Sequence, residues 1–130
     1  MSIPDDRQYT ADHEWIQIVA GLARVGITQF AIDSLGELVF LDLPAVGADL
    51  SAGSPAGEIE STKSVSDLYA PADGRVVEVN SNAIEEPGLV NQDPYGTGWL
   101  FVMSVDSPDG LLDASAYREL CETGRKPEDQ

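Results

Sequence analysis

Only two lysines stand in these 130 residues, Lys63 and Lys126, with one histidine, His13, and one cysteine, Cys121. A lone cysteine leaves no internal disulfide and no Cys-x-x-Cys redox or metal pair, which fits a reducing compartment. A lone histidine rules out a His-rich metal site and leaves any catalytic triad undersupplied. No apolar stretch approaches the length of a membrane helix. The segment Met1 to Arg7 has no apolar core of signal-peptide length, and its aspartates argue against a transit peptide. No nucleophile stands beside a base and no glycine loop is built to cradle phosphate, so a small-molecule enzyme is disfavoured. The expectation is a soluble cytoplasmic protein of bacterial type; a mature mitochondrial form with its presequence removed would read the same.

What the chain has in excess is acid. A formal net charge of −16 and a pI near 4.1 repel nucleic acid and anionic membrane, and favour solubility and basic-faced protein partners. The length suits one domain with a real core and falls short of two. We expect a flexible N-terminus over 1–8, a single domain over 9–122 and a disordered polar tail over 123–130.

Short strands dominate the pattern. Trp15 to Val19 and Leu22 to Ile27 flank Ala20-Gly21, a hairpin turn. Thr28 is placed to cap a brief helix over Gln29 to Leu35, with Gly36 as its stop. Glu37 to Leu43 reads as a strand ended by Pro44, followed by a turn-rich stretch around Gly47 and Gly53. Leu68 to Tyr69, Arg75 to Val79 and Trp99 to Val105 supply further strands. Asp113 is an N-cap for a last helix, Ala114 to Glu122, whose Tyr117, Leu120 and Cys121 share a face. Gly26, Gly74 and Gly98 read as tight backbone sites, and Trp15, Trp99 and Tyr95 as packing. The sum is a mainly β fold, a flattened β-barrel or sandwich with a short internal helix and a C-terminal helix, as if two similar halves met near Lys63.

Lys63 lies in Glu58-Ile59-Glu60-Ser61-Thr62-Lys63-Ser64-Val65-Ser66-Asp67-Leu68-Tyr69-Ala70-Pro71. Alternation on both sides predicts two strands, and the Ser/Thr run between them a turn of a type that tolerates Ser, Thr and Lys. An amine presented at a tip is a handle for modification. Taken alone it reads first as an ordinary exposed hairpin lysine.

The flanking sequence decides between these. The Lys63 segment, with Gly74-Arg75-Val76-Val77-Glu78-Val79-Asn80 after it, resembles the lipoyl-attachment region of the glycine cleavage system H proteins. In the same order as that family come His13-Glu14-Trp15, Val25-Gly26-Ile27-Thr28, Leu35-Gly36-Glu37, and Gly88-Leu89-Val90-Asn91 through Asp93-Pro94-Tyr95-Gly96 to Gly98-Trp99. The resemblance runs from about Tyr9 to Leu120, and several ordered blocks are far more specific than one short motif.

The resemblance implies a lipoyl/biotinyl-type fold and a covalent lipoate on Lys63, installed by a lipoate-attaching enzyme. It implies a non-catalytic carrier in glycine catabolism, whose swinging arm takes the aminomethyl group of glycine from glycine decarboxylase to a folate-dependent aminomethyltransferase and electrons to dihydrolipoyl dehydrogenase. It suggests that the loaded arm rests near Glu14 and Asp67, where carboxylates would hold a cationic amine. Glu60 and Asp67, flanking the turn, are placed to guide the attaching enzyme. An H-like protein that relays lipoyl groups to other apoproteins would share fold and lysine. Biotin carriers fit poorly, since Thr62 and Ser64 stand where methionines usually flank the lysine. Lipoyl domains of 2-oxoacid dehydrogenases fit no better, lacking the His13-Glu14-Trp15 segment and the last helix. Two departures from the family pattern are Thr62, often apolar, and a shortened stretch from Ser107 to Asp113.

Overall fold

The alternation read from the sequence becomes nine short strands among the described residues: β1 (Gln8–Tyr9), β2 (Glu14–Val19), β3 (Leu22–Ile27), β4 (Leu38–Asp42), β5 (Asp49–Leu50), β6 (Pro55–Ser61), β7 (Val65–Tyr69), β8 (Gly74–Val79) and β9 (Phe101–Val105). Four helices join them: α1 (Gln29–Leu35), α2 (Ser81–Glu85), α3 (Gly88–Gln92) and α4 (Ala114–Thr123). The structure is a computed structural model that describes residues 3–105, 108 and 110–123. The polar tail expected over 123–130 lies outside the described residues apart from Thr123, as do Met1 and Ser2 of the N-terminal stretch and part of the shortened 107–113 segment.

Every strand pairing is antiparallel, in a six-stranded sheet of order β1-β2-β3-β9-β8-β5 and a three-stranded sheet of order β4-β6-β7. The fold is therefore the sandwich of the two expected forms, and the barrel is not closed. At the β7 edge the Tyr69 amide donates to the Glu14 carboxylate at 2.8 Å and so is held by a side chain. Ile16, Val25, Leu41, Ile59, Leu68, Val76, Phe101 and Met103, drawn from both sheets, form the core between them. A second cluster, with Tyr9, Trp15, Leu112, Ala114, Tyr117 and Leu120, gathers where α4 covers the strand ends. Burial of such side chains drives the fold at roughly 1.5–3 kcal/mol for each large one.

Local signals act as read. Ala20 and Gly21 turn the β2–β3 hairpin with φ of 53° and 80°, values of the left-handed pair that matches strand twist. Thr28 accepts from the Ala31 amide at 3.3 Å to cap α1, and Asp113 accepts from Ala116 at 2.8 Å at the start of α4. The helices over 81–92 were absent from the expected elements. Each spans five residues, and Pro87 and Gly88 between them read as loop punctuation, so neither shows a helical period. Their stability comes from packing: Ala83 and Val90 are fully buried in the core. Among the described residues no helix is long and apolar enough to cross a membrane.

Candidate functional site

The β6–β7 hairpin is amphipathic by strict alternation. Ile59 and Leu68 point into the core while Glu58, Glu60, Val65 and Asp67 face out. Thr62-Lys63-Ser64 closes it, and Ser61 organises the closure. Its buried hydroxyl accepts from the amides of Lys63 at 3.3 Å and Ser64 at 3.1 Å, and its own amide donates to the Ser64 carbonyl at 2.8 Å. A serine hydroxyl bonding backbone two and three residues ahead fixes a turn without the Asn-Gly code. The result is an exposed Lys63 on a rigid base. Among the described residues its ammonium makes no hydrogen bond or ion pair.

Glu14, by contrast, is 2% exposed. One carboxylate oxygen accepts from the Tyr69 amide at 2.8 Å and the other from the Thr10 hydroxyl at 3.1 Å. Burial pushes its carboxyl up to about 8, against the lowering effect of the Tyr69 amide. Asp67 is exposed, two residues back on the same strand, where the Tyr69 hydroxyl donates to it at 3.5 Å. The Asp67 charge foremost, and those of Asp12 and Glu14, raise the Tyr69 hydroxyl above its ordinary value. Tyr69 is thus the residue around which Glu14 and Asp67 meet, one under its backbone and one beside its ring. Sequence reading missed it, since a tyrosine in a strand looks like packing.

Beside Glu14, a second set of polar groups locks the strand ends. His13, at φ 67°, stacks on Phe30 with centroids 4.4 Å apart, and its Nδ1 lies 2.8 Å from the Tyr117 hydroxyl. That hydroxyl lies 2.6 Å from Thr28 Oγ1, the cap of α1. Burial lowers the His13 value and raises that of Tyr117, so both stay neutral near pH 7. Tyr117 also stacks on Tyr9 at 4.6 Å. Trp15 donates from Nε1 to the Pro94 carbonyl at 2.9 Å, and its indole lies against Gly26 so closely that a side chain there would collide with it. These residues hold structure and present no reactive group.

Comparison with known proteins now fits this geometry. A family profile described as Glycine cleavage H-protein matches residues 7–124. The chain belongs to the glycine cleavage H-protein family. It is 57% identical to the glycine cleavage system H protein of Beutenbergia cavernae, over 92% of this chain and 97% of that one. To the protein of the same name from Thermobifida fusca it is 49% identical, over 94% and 98%. The crystal structure of a glycine cleavage system H protein from Mycobacterium marinum superimposes with a TM-score of 0.86 at 50% identity, covering 95% of this chain and all of that one. Membership carries the lipoyl-carrier role in the glycine cleavage system.

Proposed function

We propose that Lys63 bears the lipoyl group in amide linkage and that residues 9–122 form a single carrier domain around it. The observation that carries this is the exposed, unpaired Lys63 amine on a turn anchored by Ser61. An amine to be acylated is best accessible and free of a competing ion pair, and among the described residues Lys63 is both. Once bound, the group would supply a disulfide ring that takes up and releases the aminomethyl group of glycine and two electrons. The chain's own part is presentation. Partners are glycine decarboxylase, the folate-dependent aminomethyltransferase, dihydrolipoyl dehydrogenase and the lipoate-attaching enzyme, each of which must admit the hairpin tip. The row of Glu58, Glu60 and Asp67 beside the tip steers such partners through basic rims.

Glu14 and Asp67 shelter the amine of the loaded arm. Near pH 7 the buried Glu14 carboxyl is largely protonated, its value being about 8. An ammonium brought beside it provides the counter-charge that burial withholds, and Glu14 then ionises and holds it by a charge-assisted bond. Asp67, exposed and beside the Tyr69 hydroxyl, marks the outer wall. Release of the aminomethyl group as ammonia and formaldehyde should be faster from loaded Glu14→Ala and Asp67→Ala proteins. Equal release from wild type and both variants, with arm attachment intact, removes the sheltering role.

Intact mass and peptide mapping after incubation with lipoate, ATP and a lipoate-attaching enzyme test the main reading. One added lipoyl mass is expected on Lys63, with the modified form running more anodally on a native gel because a positive charge is lost. Addition at Lys126, or none, sinks it.

A further inference from the structure

We propose that Asn91 is the positioning residue that holds the Lys63 turn ready for its partners, through a side-chain clamp on residues 36–38. This rests on Lys63 being the lipoylation site. Asn91 sits on α3, and its carboxamide bonds backbone at two points. Oδ1 accepts from the Leu38 amide at 3.0 Å, and Nδ2 donates to the Gly36 carbonyl at 2.8 Å. With one partner a donor and the other an acceptor, only one orientation of the amide satisfies both. The side chain thus imitates a neighbouring strand across the point where α1 ends and β4 begins.

That clamped segment is the floor under the lysine turn. The Thr62 amide donates to the Glu37 carbonyl at 3.0 Å, between the two clamped residues. Leu38 pairs with Ser61, the residue whose hydroxyl organises the turn. Gly36, at φ 83°, offers a bare Cα to the lysine stem: a Cβ built there would lie 3.4 Å from Lys63 Cε and 3.9 Å from Nζ. The glycine is needed for its positive φ, and the lysine stem packs over it at van der Waals distance. Two independent supports therefore converge on the turn, Ser61 from within the hairpin and Asn91 from α3 by way of the 36–38 segment. Without the clamp the floor is free to move, and the partner must order the tip on binding, a cost that appears as weaker recognition while chemistry proceeds as before.

The test uses the full-length apoprotein as wild type, Asn91→Ala, Asn91→Asp and Asn80→Ala. Asn80 is the control, since its carboxamide also bonds backbone at two points, donating to the Thr97 and Trp99 carbonyls away from the lysine turn. In the Ala variant the ratio of Thr62 to Ile59 amide exchange, read by NMR, should rise about tenfold, the equivalent of one or two hydrogen bonds. A general loss of stability would move both amides and leave the ratio alone. The KM of the lipoate-attaching enzyme for the Ala variant should likewise rise about tenfold with kcat unchanged. Asn91→Asp, which keeps the acceptor and loses the donor, should fall between wild type and Ala, and it decides the matter if Ala does not fold. Asn80→Ala should leave both readouts at wild type. An unchanged exchange ratio, an unchanged KM, or an equal KM rise in Asn80→Ala overturns the proposal. Lipoate mapping to a residue other than Lys63 defeats the functional reading instead, and the exchange ratio still reports whether the clamp exists.

Discussion

The Lys63 turn and the cluster around His13 and Tyr117 each hold one of the chain's scarcest side chains, and treat it in opposite ways. Lys63 is pushed out on a hairpin whose polar tip bonds mainly to itself, and its ammonium is left unpaired among the described residues. His13 is drawn in, stacked on Phe30, bonded to Tyr117 and kept neutral by burial. The lesson is that a rare residue set apart from its own protein is left available for chemistry, whereas one that the fold surrounds with partners is committed to structure.

The contrast can be broken first at Tyr117. Removing its ring by Tyr117→Ala opens the second core cluster, strips the stack on Tyr9 and leaves Thr28 and His13 without their shared partner. Chemical denaturation should show a loss of about 3 to 5 kcal/mol. Arm attachment to whatever remains folded should continue, and a stability loss no larger than that of a surface change would refute the structural assignment.

Thr28→Ala comes next, removing the cap of α1 and one partner of the Tyr117 hydroxyl together. A loss of about 1 to 2 kcal/mol is expected, with Thr28→Ser recovering most of it. If Ser fails to recover it, the methyl group and its packing matter more than the hydroxyl.

Glu14 supplies a smaller, pH-dependent effect. Its folded value, about 8, lies above the ordinary 4.5, so between these the folded state holds a proton that the unfolded state has released. As far as Glu14 is concerned, stability is greatest below the unfolded value and is lost as pH rises through the folded one. His13, lowered by burial from 6.5, acts in the opposite sense, with its contribution lost as pH falls from its unfolded value. Urea midpoints from pH 7 to 8.5 therefore isolate Glu14, and wild type should lose about 1 kcal/mol more than Glu14→Gln across that range. Parallel curves for the two proteins would show that Glu14 is ionised throughout.

Smallest of all on stability is Lys63→Arg. An exposed turn charge exchanged for another should shift unfolding by less than about 0.5 kcal/mol, while lipoate attachment disappears. A large fall in melting temperature would place Lys63 on the structural side of the comparison after all.

Much of this was legible in advance, for local reasons. Thr28 and Gly36 bound α1 because a hydroxyl cap and a residue tolerant of positive φ are signals carried by single positions. The hairpin around Lys63 was legible because Ile59 and Leu68 alternate with charged neighbours, and a period of two needs no knowledge of the partner sheet. Helices α2 and α3 were not, because five residues apiece cannot form helix without the packing of Ala83 and Val90. Ser61 read only as part of a Ser/Thr turn run, Tyr69 as an ordinary strand residue, and Asn91 as one letter in a block that resembles the family.

By itself, then, the chain's order of residues determined the strands, the caps, the acidic surface and the exposed turn that carries Lys63, since each follows from spacing, charge or backbone preference along a short stretch. What only the tertiary structure decided is what lies across from what. Glu14 meets the Tyr69 amide 55 positions away, and the burial that comes with that packing, absent from any local pattern, moves its carboxyl toward neutrality against the pull of the amide itself. Asn91 reaches Gly36 and Leu38 across more than 50 positions, so the floor beneath Lys63 is set by a helix that the sequence around the lysine does not contain. Contacts between distant segments depend on how two sheets and four helices pack together, and no window along the chain is long enough to hold both partners.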